Sequence, residues 1–498
     1  MYVHTAATGL SITRVRGLIV LALLWCAPLC VSAQTVNWPM KPFDQAQPLG
    51  NTYGEYQQYG GSPYMHPGID IMGAEGDSVF AVASGFVKAV LTTSASLHWR
   101  VAVGDSADAV ICNGFLYAHL ESSSIQVSEG DTVRAGDLLG VLIGWPIAEF
   151  HHVHFAYIRQ SGFPWSPDWM FIENPLEFLV DVTDTTRPEF QMLSNGSYVA
   201  FYANNTTDSY LDPGDTLSGA LDFLVSVRDI AGHPSWYVQP YQLAYQFRND
   251  SISYLSVVSV TFRDTLFYAD NVNIIYRDDA VYDSKGDYDY REFYMICTNT
   301  DRDALIEEGD ADSAWFTGDY PNGTYWLSIQ AIDRYGSRDD ESLQVVLENY
   351  FTVQGKVTMT DRPGSQAGTV VSLPQLGLSD TTDAAGDYAI PHVGPGIYTL
   401  RVIHDGYDSS VTTEHLRVRD PSRDFELLPV AGLRGDLNHD DAVDASDIIA
   451  LVSYVFKSGP PPEPAFIGDV NADGTTTSSD IIYLVAYVFK GGPAPPPL

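Results

Sequence analysis

The sequence predicts a mainly β, multidomain protein that ends in a small α-helical module. Its 498 residues exceed the about 250–300 residues at which single hydrophobic cores stop growing, so several domains are expected. Through most of the chain, apolar and polar residues alternate between turns rich in glycine and aspartate, which is typical of short antiparallel strands. Only the C-terminal segment has the apolar spacing of helices. We therefore expect an antiparallel β-sheet domain, two β-sandwich modules and a small helical module, in that order.

The N-terminal residues have the features of a secretory signal peptide. Arg14 and Arg16 precede the apolar run GLIVLALLW, and small residues at 31–33 offer a cleavage position. We expect residues 1–33 to be removed, so that the mature chain starts at Gln34. The apolar run is too short for a comfortable membrane span, and no other stretch of the sequence approaches the about 20 residues required. The protein is therefore expected to be secreted (extracellular, cell-surface or periplasmic), with no transmembrane segment in the mature chain.

The charge and the cysteine content argue against several classes of partner and structure. The formal net charge is −37, which argues against nucleic acid and anionic membrane surfaces as partners. Two of the four cysteines belong to the predicted signal peptide, and only Cys112 and Cys297 remain, far apart in the sequence. A disulfide framework is therefore not expected, despite the exported context.

Five residues in three short blocks are candidates for a zinc site. The blocks are HPGID, LYAHL and HHVHF, and the residues are His66, Asp70, His119, His152 and His154. A zinc hydrolase needs three neutral or anionic ligands, an open position for water and a group that moves protons or stabilises an oxyanion. The alternation of His152 and His154 predicts a strand with both imidazoles on one face. One of this pair can bind the metal while the other faces the bound water, and His119 adds a further imidazole.

Residues from about 48 to 160 resemble the M23 family of peptidases, the lysostaphin-like or LytM-type endopeptidases. The matching blocks run in order: HPGID, GDSVFAVASGFV, YAHL, EGDTVRAGDLLG and HxHF. The resemblance implies an antiparallel β-sheet domain, assigned here to residues 34–180. It implies His66, Asp70 and His154 as zinc ligands and His119 and His152 as catalytic imidazoles. Which of the two imidazoles is the general base stays open.

Two stretches depart from the pattern of that family. The Gly-rich stretch usual before HxH is here the bulkier GWPIAEFH, and the acidic residue common just after HxHF is Ala156. Neither change removes a ligand. Both alter residues expected near the substrate groove, so the departures concern specificity more than activity.

The resemblance implies hydrolysis of a peptide bond by water that zinc has activated, because zinc lowers the pKa of its bound water towards about 7. By analogy with the family, the expected substrate is the peptide cross-links of peptidoglycan. Two alternatives stay open. The chain would be a noncatalytic cell-wall-binding, adhesion or scaffold protein if its M23-like domain only binds. It would be a protease acting on exported proteins if the GWPIAEF segment changes its specificity.

The middle of the chain predicts two sandwiches without catalytic residues. Residues 184–353 alternate as in LDFLVSVRDIAG and TYWLSIQAIDRYG, which favours an immunoglobulin-like β-sandwich. An insert around 277–315 contains the acidic run DDAVYDSKGDYDYRE, which we expect to be a solvated loop in preference to a calcium site. Residues 354–429 resemble the carboxypeptidase-regulatory-like, transthyretin-type sandwich through the GKV, GDYAI, GPGIYTLRV and GY positions. That resemblance implies a noncatalytic spacer or surface binder.

The C-terminal segment, residues 433–498, contains a duplicated calcium-loop pattern. GDLNHDDAVDASDIIALVSYVFKSGP from Gly435 returns as GDVNADGTTTSSDIIYLVAYVFKGGP from Gly468. Oxygen-bearing residues stand at loop positions one, three, five, nine and twelve, which suits the six to eight oxygen ligands of Ca²⁺. They are Asp436, Asn438, Asp440, Asp444 and Asp447 in the first loop and Asp469, Asn471, Asp473, Thr477 and Asp480 in the second. Gly474 allows a sharp turn in the second loop, and Asp441 takes that place in the first.

Each loop is followed by an apolar segment with helical spacing, DIIALVSYVF and DIIYLVAYVF. We expect two loop–helix units that pack against each other through those faces. The segment resembles a type I dockerin module. The resemblance implies two structural calcium ions and, as partner, a cohesin domain on a scaffold or cell surface. The Pro-rich ends GPPPEP and GGPAPPPL are expected to be a linker and a tail.

Overall fold

A computed structural model of the chain describes residues 35–59, 61–92, 96–109, 111–147, 149–161, 172–180, 186–249, 255–262, 272–288, 290–302, 306–359, 365–429, 433–463 and 465–496. The predicted signal peptide lies outside these residues. Within them, strands form most of the regular structure, and the two longer helices lie at the C-terminal end. The prediction of a mainly β multidomain protein is confirmed.

The N-terminal unit is built on one large antiparallel sheet. Its strands are β1 Leu49–Asn51, β2 Tyr56–Gln57, β3 Tyr64–Met65, β4 Ile69–Met72, β5 Ser78–Phe80, β6 Gly85–Leu91, β7 Arg100–Gly104, β8 Cys112–Ala118, β9 Thr132–Val133, β10 Leu138–Val141, β11 His152–Ser161 and β12 Ile172–Glu173. The large sheet has the order β1-β4-β11-β8-β7-β6-β9, and β12 also pairs with β11. The remaining strands form two small ribbons, β2-β3 and β5-β10.

The register of β4, β8 and β11 determines where the candidate site lies. His154 on β11 is paired with Asp70 on β4 and with Ala118 on β8. Residues paired directly across antiparallel strands share a face of the sheet, and residues two apart on one strand do so as well. Asp70, His152 and His154 therefore lie on one face, whereas Val153, on the other face, is fully buried.

The middle sandwich consists of two sheets that face each other. Its elements are β13 Glu189–Gln191, β14 Ala200–Ala203, β15 Thr216–Leu217, β16 Ala220–Arg228, β17 Gln242–Arg248, β18 Leu255–Thr261, the short helix α1 Val272–Ile275, β19 Lys285–Gly286, β20 Arg291–Glu292, β21 Tyr294–Ile296, β22 Trp315–Phe316, β23 Gly323–Ile332 and β24 Arg338–Leu347. One sheet is centred on β16, which pairs with β13, β14, β21 and β22, and the other has the order β15-β24-β23-β17-β18. Between them, the ring centroid of Phe223 lies 5.1 Å from that of Tyr245.

The N-terminal unit and the middle sandwich share one cluster of buried apolar side chains, which extends in sequence from Trp38 to Leu347. Buried hydrogen bonds also cross between them. The Tyr276 hydroxyl donates to the carbonyl of Gly54 over 2.8 Å. Because burial of apolar surface is the main favourable term in folding, this shared core holds the two units side by side.

The acidic insert around 277–315 is part of the sandwich, so its prediction as a solvated loop was wrong. β19 and β20 form a hairpin, and β21 and β22 pair with β16. Tyr282 and Arg291, inside the acidic run, are only 1% and 5% exposed. The carboxylates of the run suggested a solvated segment, but its tyrosines and arginine bury their apolar parts against the rest of the protein.

The second sandwich follows directly and has its own core. Its strands are β25 Phe351–Met359, β26 Val370–Leu373, β27 Leu378–Thr381, β28 Asp387–Val393, β29 Gly396–Ile403, β30 Ser410–Leu416 and β31 Phe425–Leu427. They form the sheets β28-β25-β31 and β27-β26-β29-β30. Val353 on β25 and Leu400 on β29 are fully buried in the cluster between these sheets.

The C-terminal module contains two helices, α2 Ala445–Lys457 and α3 Ser478–Lys490. Leu451 and Leu484, at equivalent positions of the two repeats, are fully buried and pack with Val470 in one small cluster. The predicted packing of the two apolar faces is therefore found. Among the described residues, no helix combines the length and the apolar character needed to cross a bilayer.

Candidate metal centre and its cleft

Three side-chain atoms that can bind a metal converge at β4 and β11. His66 Nε2 lies 3.2 Å from Asp70 Oδ1 and 2.9 Å from His154 Nδ1, and His154 Nδ1 lies 3.0 Å from Asp70 Oδ1. In a tetrahedral site with zinc–ligand bonds of about 2.0–2.1 Å, neighbouring ligand atoms are about 3.3 Å apart. Two imidazoles and one carboxylate at this spacing fit a zinc ion.

The surrounding backbone orients His66 and leaves little room beside His154. His66 Nδ1 donates a hydrogen bond to the carbonyl of Thr52 over 3.1 Å, so Nε2 keeps its lone pair for a metal. Gly68 lies in the turn between the first two ligands. A Cβ atom at this position would lie 2.6 Å from the carbonyl oxygen of Phe155 and 3.0 Å from the ring of His154. The HPGID block therefore requires glycine for the close approach of β11.

Two further imidazoles lie beside the metal centre. The ring centroids of His119 and His152 are 4.6 Å apart, and His152 Nε2 lies 3.6 Å from Asp70 Oδ2. His119 Nδ1 donates to the carbonyl of Leu97, and His152 Nδ1 donates to the carbonyl of Phe150 over 2.8 Å. Each neutral ring therefore presents an unprotonated Nε2. Both rings can accept a proton, and the geometry does not distinguish their roles.

Burial and the Asp70 carboxylate set the charges in the site. Burial lowers the pKa of His119 well below its usual range, and it also lowers the pKa of His152 and that of His154. Burial opposes the ionisation of Asp70, but the neighbouring His152 and His66 hold the pKa of its carboxyl well below the usual value. Burial would also lower the pKa of His66, but nearby carboxylates raise it overall. An ionised carboxylate among imidazoles is the donor set that metal binding requires.

The five residues line one cleft of about 250 Å³ whose walls are largely aromatic. The aromatic lining consists of Tyr59, Tyr64, Trp145, Phe150 and Tyr288. The ring of Trp145 lies against both additional imidazoles, 4.6 Å from His119 and 4.7 Å from His152 between centroids. Trp145 and Phe150 belong to the bulky GWPIAEF segment. This departure from the family pattern therefore lies in the cleft wall.

The two C-terminal loops have the same backbone arrangement. In the first loop, the amides at positions five and six donate to the Asp436 carboxylate over 3.2 and 3.0 Å. In the second, the corresponding amides donate to the Asp469 carboxylate, both over 3.0 Å. Asp441 has a φ of 63° where Gly474 has a φ of 90°. Because aspartate tolerates the left-handed conformation, the first loop makes the sharp turn without glycine.

The carboxylates at position twelve close each loop. Asp447 and Asp480 are fully buried, and each accepts hydrogen bonds from amides of its own loop. Asp444 and Thr477, at position nine, instead accept from backbone amides of the first turns of α2 and α3 and cap these helices. In calcium loops, position nine often acts through a water molecule. The oxygen-rich loops therefore fit a hard cation such as Ca²⁺.

The structure brings all five predicted zinc-site residues into one cleft and the ten predicted calcium residues into two matching loops. Sequence reasoning missed Tyr288, because nothing near it in the sequence indicates that it reaches a cleft in the N-terminal unit. Trp145 was signalled only by the unusual bulk of its segment. Cys112 and Cys297 are both buried, and neither forms a disulfide among the described residues.

Family comparisons identify two parts of the chain. Residues 64–167 match the model described as peptidase family M23, and residues 434–489 match that of the dockerin type I domain. The recognition of an M23 peptidase domain and of a dockerin type I domain is confirmed. The carboxypeptidase-regulatory-like assignment of residues 354–429 stays a prediction. No curated protein matches the chain.

Several solved structures are similar to parts of the chain. One is the catalytic domain of the antimicrobial peptidase lysostaphin from Staphylococcus simulans, with 25% identity, a TM-score of 0.22, and coverage of 26% of this chain and 90% of that chain. A mutant of the catalytic domain of the prophage-encoded M23 protein EnpA from Enterococcus faecalis has 24% identity, a TM-score of 0.20, and coverage of 26% of this chain and 87% of that chain. A type II cohesin–X-dockerin complex from Acetivibrio cellulolyticus has 21% identity, a TM-score of 0.17, and coverage of 29% and 97%.

Proposed function

We propose that this protein is a secreted zinc metalloendopeptidase that hydrolyses the peptide cross-links of peptidoglycan and is attached through its calcium-dependent dockerin module. One observation supports the enzymatic part above all others. His66 Nε2, Asp70 Oδ1 and His154 Nδ1 lie within 3.2 Å of one another. They face a cleft that also contains two imidazoles, which are suited to proton transfer.

His66, Asp70 and His154 would hold the zinc ion. When bound, zinc supplies Lewis acidity and lowers the pKa of a water molecule to about 7. Asp70 remains ionised because the surrounding imidazoles favour its charged form, and this charge favours a divalent cation at this position. The carbonyl of Thr52 fixes the tautomer of His66, so the ligand atom needs no rearrangement before the ion binds.

His119 and His152 carry the proton chemistry of the proposal. Their Nδ1 atoms are committed to backbone carbonyls, so each ring exchanges protons at Nε2. One neutral imidazole accepts the proton of the attacking water and passes it to the leaving amine. The other stabilises the negative charge that develops on the scissile carbonyl oxygen; for this it must be protonated at Nε2 and therefore cationic, a form that burial disfavours and the nearby Asp70 carboxylate favours. Trp145 packs edge-to-face against both rings and so holds them in place.

The assignment of peptidoglycan as substrate rests on the M23 family match together with the predicted signal peptide. A signal peptide directs a chain to the compartments in which peptidoglycan is accessible. The strongly negative net charge disfavours attraction to anionic membranes. A cleft with a metal centre and flat aromatic walls suits an extended peptide, whose amide planes can lie against the rings.

The docking part of the proposal rests on the C-terminal module. The two helices pack against each other but leave four equivalent apolar side chains between 65% and 70% exposed. These are Ile449 and Phe456 in the first repeat and Ile482 and Phe489 in the second. Exposed apolar surface of this kind is typical of protein interaction sites. A dockerin module that presents it would bind a cohesin-like partner, and calcium would be needed to order the loops that position the helices.

The proposal is tested with the purified mature chain, Gln34 onward, and two variants. His154→Ala removes a proposed ligand, and His392→Asn is the control, because His392 is exposed and asparagine tolerates its φ of 60°. Zinc content is measured, and peptidoglycan fragments are analysed by mass spectrometry. We expect about one zinc ion per wild-type and control chain, with cleaved cross-links that disappear in His154→Ala.

The other outcomes separate the parts of the proposal. Zinc binding with cleavage of peptides but not of peptidoglycan would contradict the proposed substrate and favour a protease acting on exported proteins. Chains without zinc and without cleavage would contradict the enzymatic function and leave a wall-binding or scaffold protein.

A further inference from the structure

A hairpin of the middle sandwich forms part of the cleft in the N-terminal unit. Tyr288 lies between β19 and β20 and lines the cleft together with the metal centre. The base of the hairpin is in direct contact with the N-terminal unit. A Cβ atom on Gly286 would lie 1.8 Å from the carbonyl oxygen of Tyr56, so only glycine permits this approach of backbone to backbone. On the other strand of the hairpin, Arg291 Nη1 lies 3.3 Å from Glu55 Oε1.

Tyr288 contacts two loops of the N-terminal unit. Its hydroxyl accepts a hydrogen bond of 2.9 Å from the indole Nε1 of Trp145. Its ring centroid lies 4.5 Å from that of Tyr59, with an interplanar angle of 33°, and 5.2 Å from that of Phe150. Aromatic contacts of this kind add to the free energy gained from burial alone. Tyr288 is therefore held in one position at the cleft wall.

Trp145 lies between Tyr288 and the two imidazoles and contacts all three side chains. Its ring packs edge-to-face against His119 and His152. Its backbone amide donates to His151 Nδ1 over 2.9 Å, and its indole N–H donates to Tyr288. Tyr288 of the middle sandwich thus supplies the hydrogen-bond acceptor that sets the indole orientation, whereas the two imidazoles belong to the N-terminal unit.

The same wall limits the space for a substrate. The cleft volume of about 250 Å³ is below the range of about 300–1,000 Å³ typical of pockets for drug-sized ligands. The hydroxyl of Tyr59 is buried and has no hydrogen-bond partner among the described residues. A buried hydroxyl without a partner is unfavourable by about 1–3 kcal/mol.

We infer that Tyr288 is a specificity-determining residue of the peptidase cleft, contributed by the middle sandwich. It restricts the substrate to peptides whose residue beside the Tyr59–Tyr288 pair has a small side chain, and it positions Trp145 against His119 and His152. This inference rests on the proposed peptidase function. It also gives the middle sandwich a direct role in substrate selection.

The test is cleavage of a synthetic peptide library by the mature chain and its variants. Products are sequenced by mass spectrometry to obtain the side chains that flank each cleaved bond. Tyr288→Ala removes the aromatic ring that the hairpin contributes to the cleft, and Tyr290→Ala is the matched control. Tyr290 belongs to the same hairpin, is 48% exposed and contacts Glu292 instead of the cleft. We expect Tyr288→Ala to accept bulky side chains about 10-fold more often at one flanking position, and Tyr290→Ala to keep the wild-type profile.

A second variant tests the positioning role without removing the ring. Tyr288→Phe keeps the size of the side chain and loses the acceptor for the Trp145 indole, so we expect an unchanged side-chain profile and a kcat lowered several-fold with little change in KM. If Tyr288→Ala does not fold, Tyr288→Leu, which shortens the side chain but keeps it apolar, replaces it in the library test, and Tyr288→Phe decides the positioning role. Identical profiles for wild type and Tyr288→Ala, or an unchanged kcat in Tyr288→Phe, would overturn the inference.

The failure of this inference differs from the failure of the proposed function. If the wild type cleaves the library and the Tyr288 variants have the same side-chain profile and kcat as the wild type, only the role of Tyr288 is refuted. If the zinc-loaded wild type cleaves neither library nor peptidoglycan, the peptidase function itself is refuted, and the role of Tyr288 with it.

Discussion

Glu55 and Arg291 form an ion pair that is buried on both sides and joins the N-terminal unit to the middle sandwich. Arg291 Nη1 lies 3.3 Å from Glu55 Oε1, and the side chains are 3% and 0% exposed, respectively. Glu55 also accepts a hydrogen bond of 3.0 Å from the amide of Thr52, whose carbonyl accepts one from His66. Arg291 of the hairpin is therefore connected, through Glu55 and Thr52, to the proposed zinc ligand His66.

The first prediction concerns this ion pair. Arg291→Met leaves Glu55 buried without its cation, which destabilises a protein by about 3–5 kcal/mol. We expect the unfolding midpoint of the mature chain to fall in chemical denaturation monitored by tryptophan fluorescence. Because the loop that orients His66 loses its support, we also expect zinc affinity to fall by about 10–100-fold.

The control for Arg291→Met is the double variant that also carries Glu55→Gln. The neutral amide introduced by Glu55→Gln leaves no buried charge without a partner, so we expect the double variant to recover part of the lost stability. An Arg291→Met variant as stable as the wild type would show that the pair does not hold the two units together.

The second prediction concerns the glycine of the HPGID block. In Gly68→Ala, the new Cβ atom would lie 2.6 Å from the carbonyl oxygen of Phe155, so β11 must shift and carry His154 away from the other ligands. We expect a zinc content clearly below one ion per chain, measured by atomic absorption. Gly309→Ala is the matched control, because a Cβ atom at Gly309 meets no atom within 4 Å. Full zinc occupancy in Gly68→Ala would contradict the assigned ligand geometry.

The third prediction concerns calcium in the C-terminal module. Asp480 is fully buried and closes the second loop, where it would bind calcium and cap α3. We expect Asp480→Asn to bind one calcium ion fewer than the wild type in isothermal titration calorimetry. Chelation of calcium by EGTA should lower the helical circular dichroism of the wild type, since empty loops contain several mutually repelling carboxylates.

Glu463→Gln serves as the comparison for Asp480→Asn, because Glu463 is exposed and lies between the repeats. It should leave the calcium stoichiometry unchanged. If both variants bind as much calcium as the wild type, the assignment of the second loop is wrong.

The fourth prediction concerns Asp222 in the core of the middle sandwich. Burial raises the pKa of its carboxyl from 3.8 to about 6, although Thr298 donates a hydrogen bond to it. The folded state therefore binds this proton more tightly than the unfolded state does. As a result, the contribution of Asp222 to stability is greatest below about pH 4 and decreases as the pH rises to about 6. The shift corresponds to about 3 kcal/mol.

We expect Asp222→Asn to remove this dependence. The free energy of unfolding of the variant, relative to that of the wild type, should increase by about 2 kcal/mol between pH 4 and pH 7, which is most of the full shift. Chemical denaturation at both pH values measures it, with Glu426→Gln as an exposed control. A difference between variant and wild type that is the same at both pH values would show that the carboxyl titrates normally.

The local patterns of the chain predicted its β-rich class and grouped both sets of candidate metal ligands. The alternation in HHVHF gave the strand β11 with His152 and His154 on one face, because side chains of a strand alternate with a period of two. The repeat after Gly435 gave two equivalent loop–helix units, because the ligands of a calcium loop are all local in sequence. The acidic insert was misjudged, because the burial of Tyr282 and Arg291 depends on partners that are distant in sequence.

The sequence by itself determined the residues that bind and react in the proposed site, since short motifs contain the required donors at the required spacing. Only the tertiary structure decided which residues surround them. Tyr288 and Trp145 meet over 2.9 Å, and Glu55 meets Arg291, through contacts between segments that are far apart along the chain. Such contacts are set by the packing of whole sheets around a shared core, which no local periodicity encodes. For this reason the short motifs were sufficient to predict the candidate ligands and imidazoles of the site, but not that Tyr288 lines its cleft.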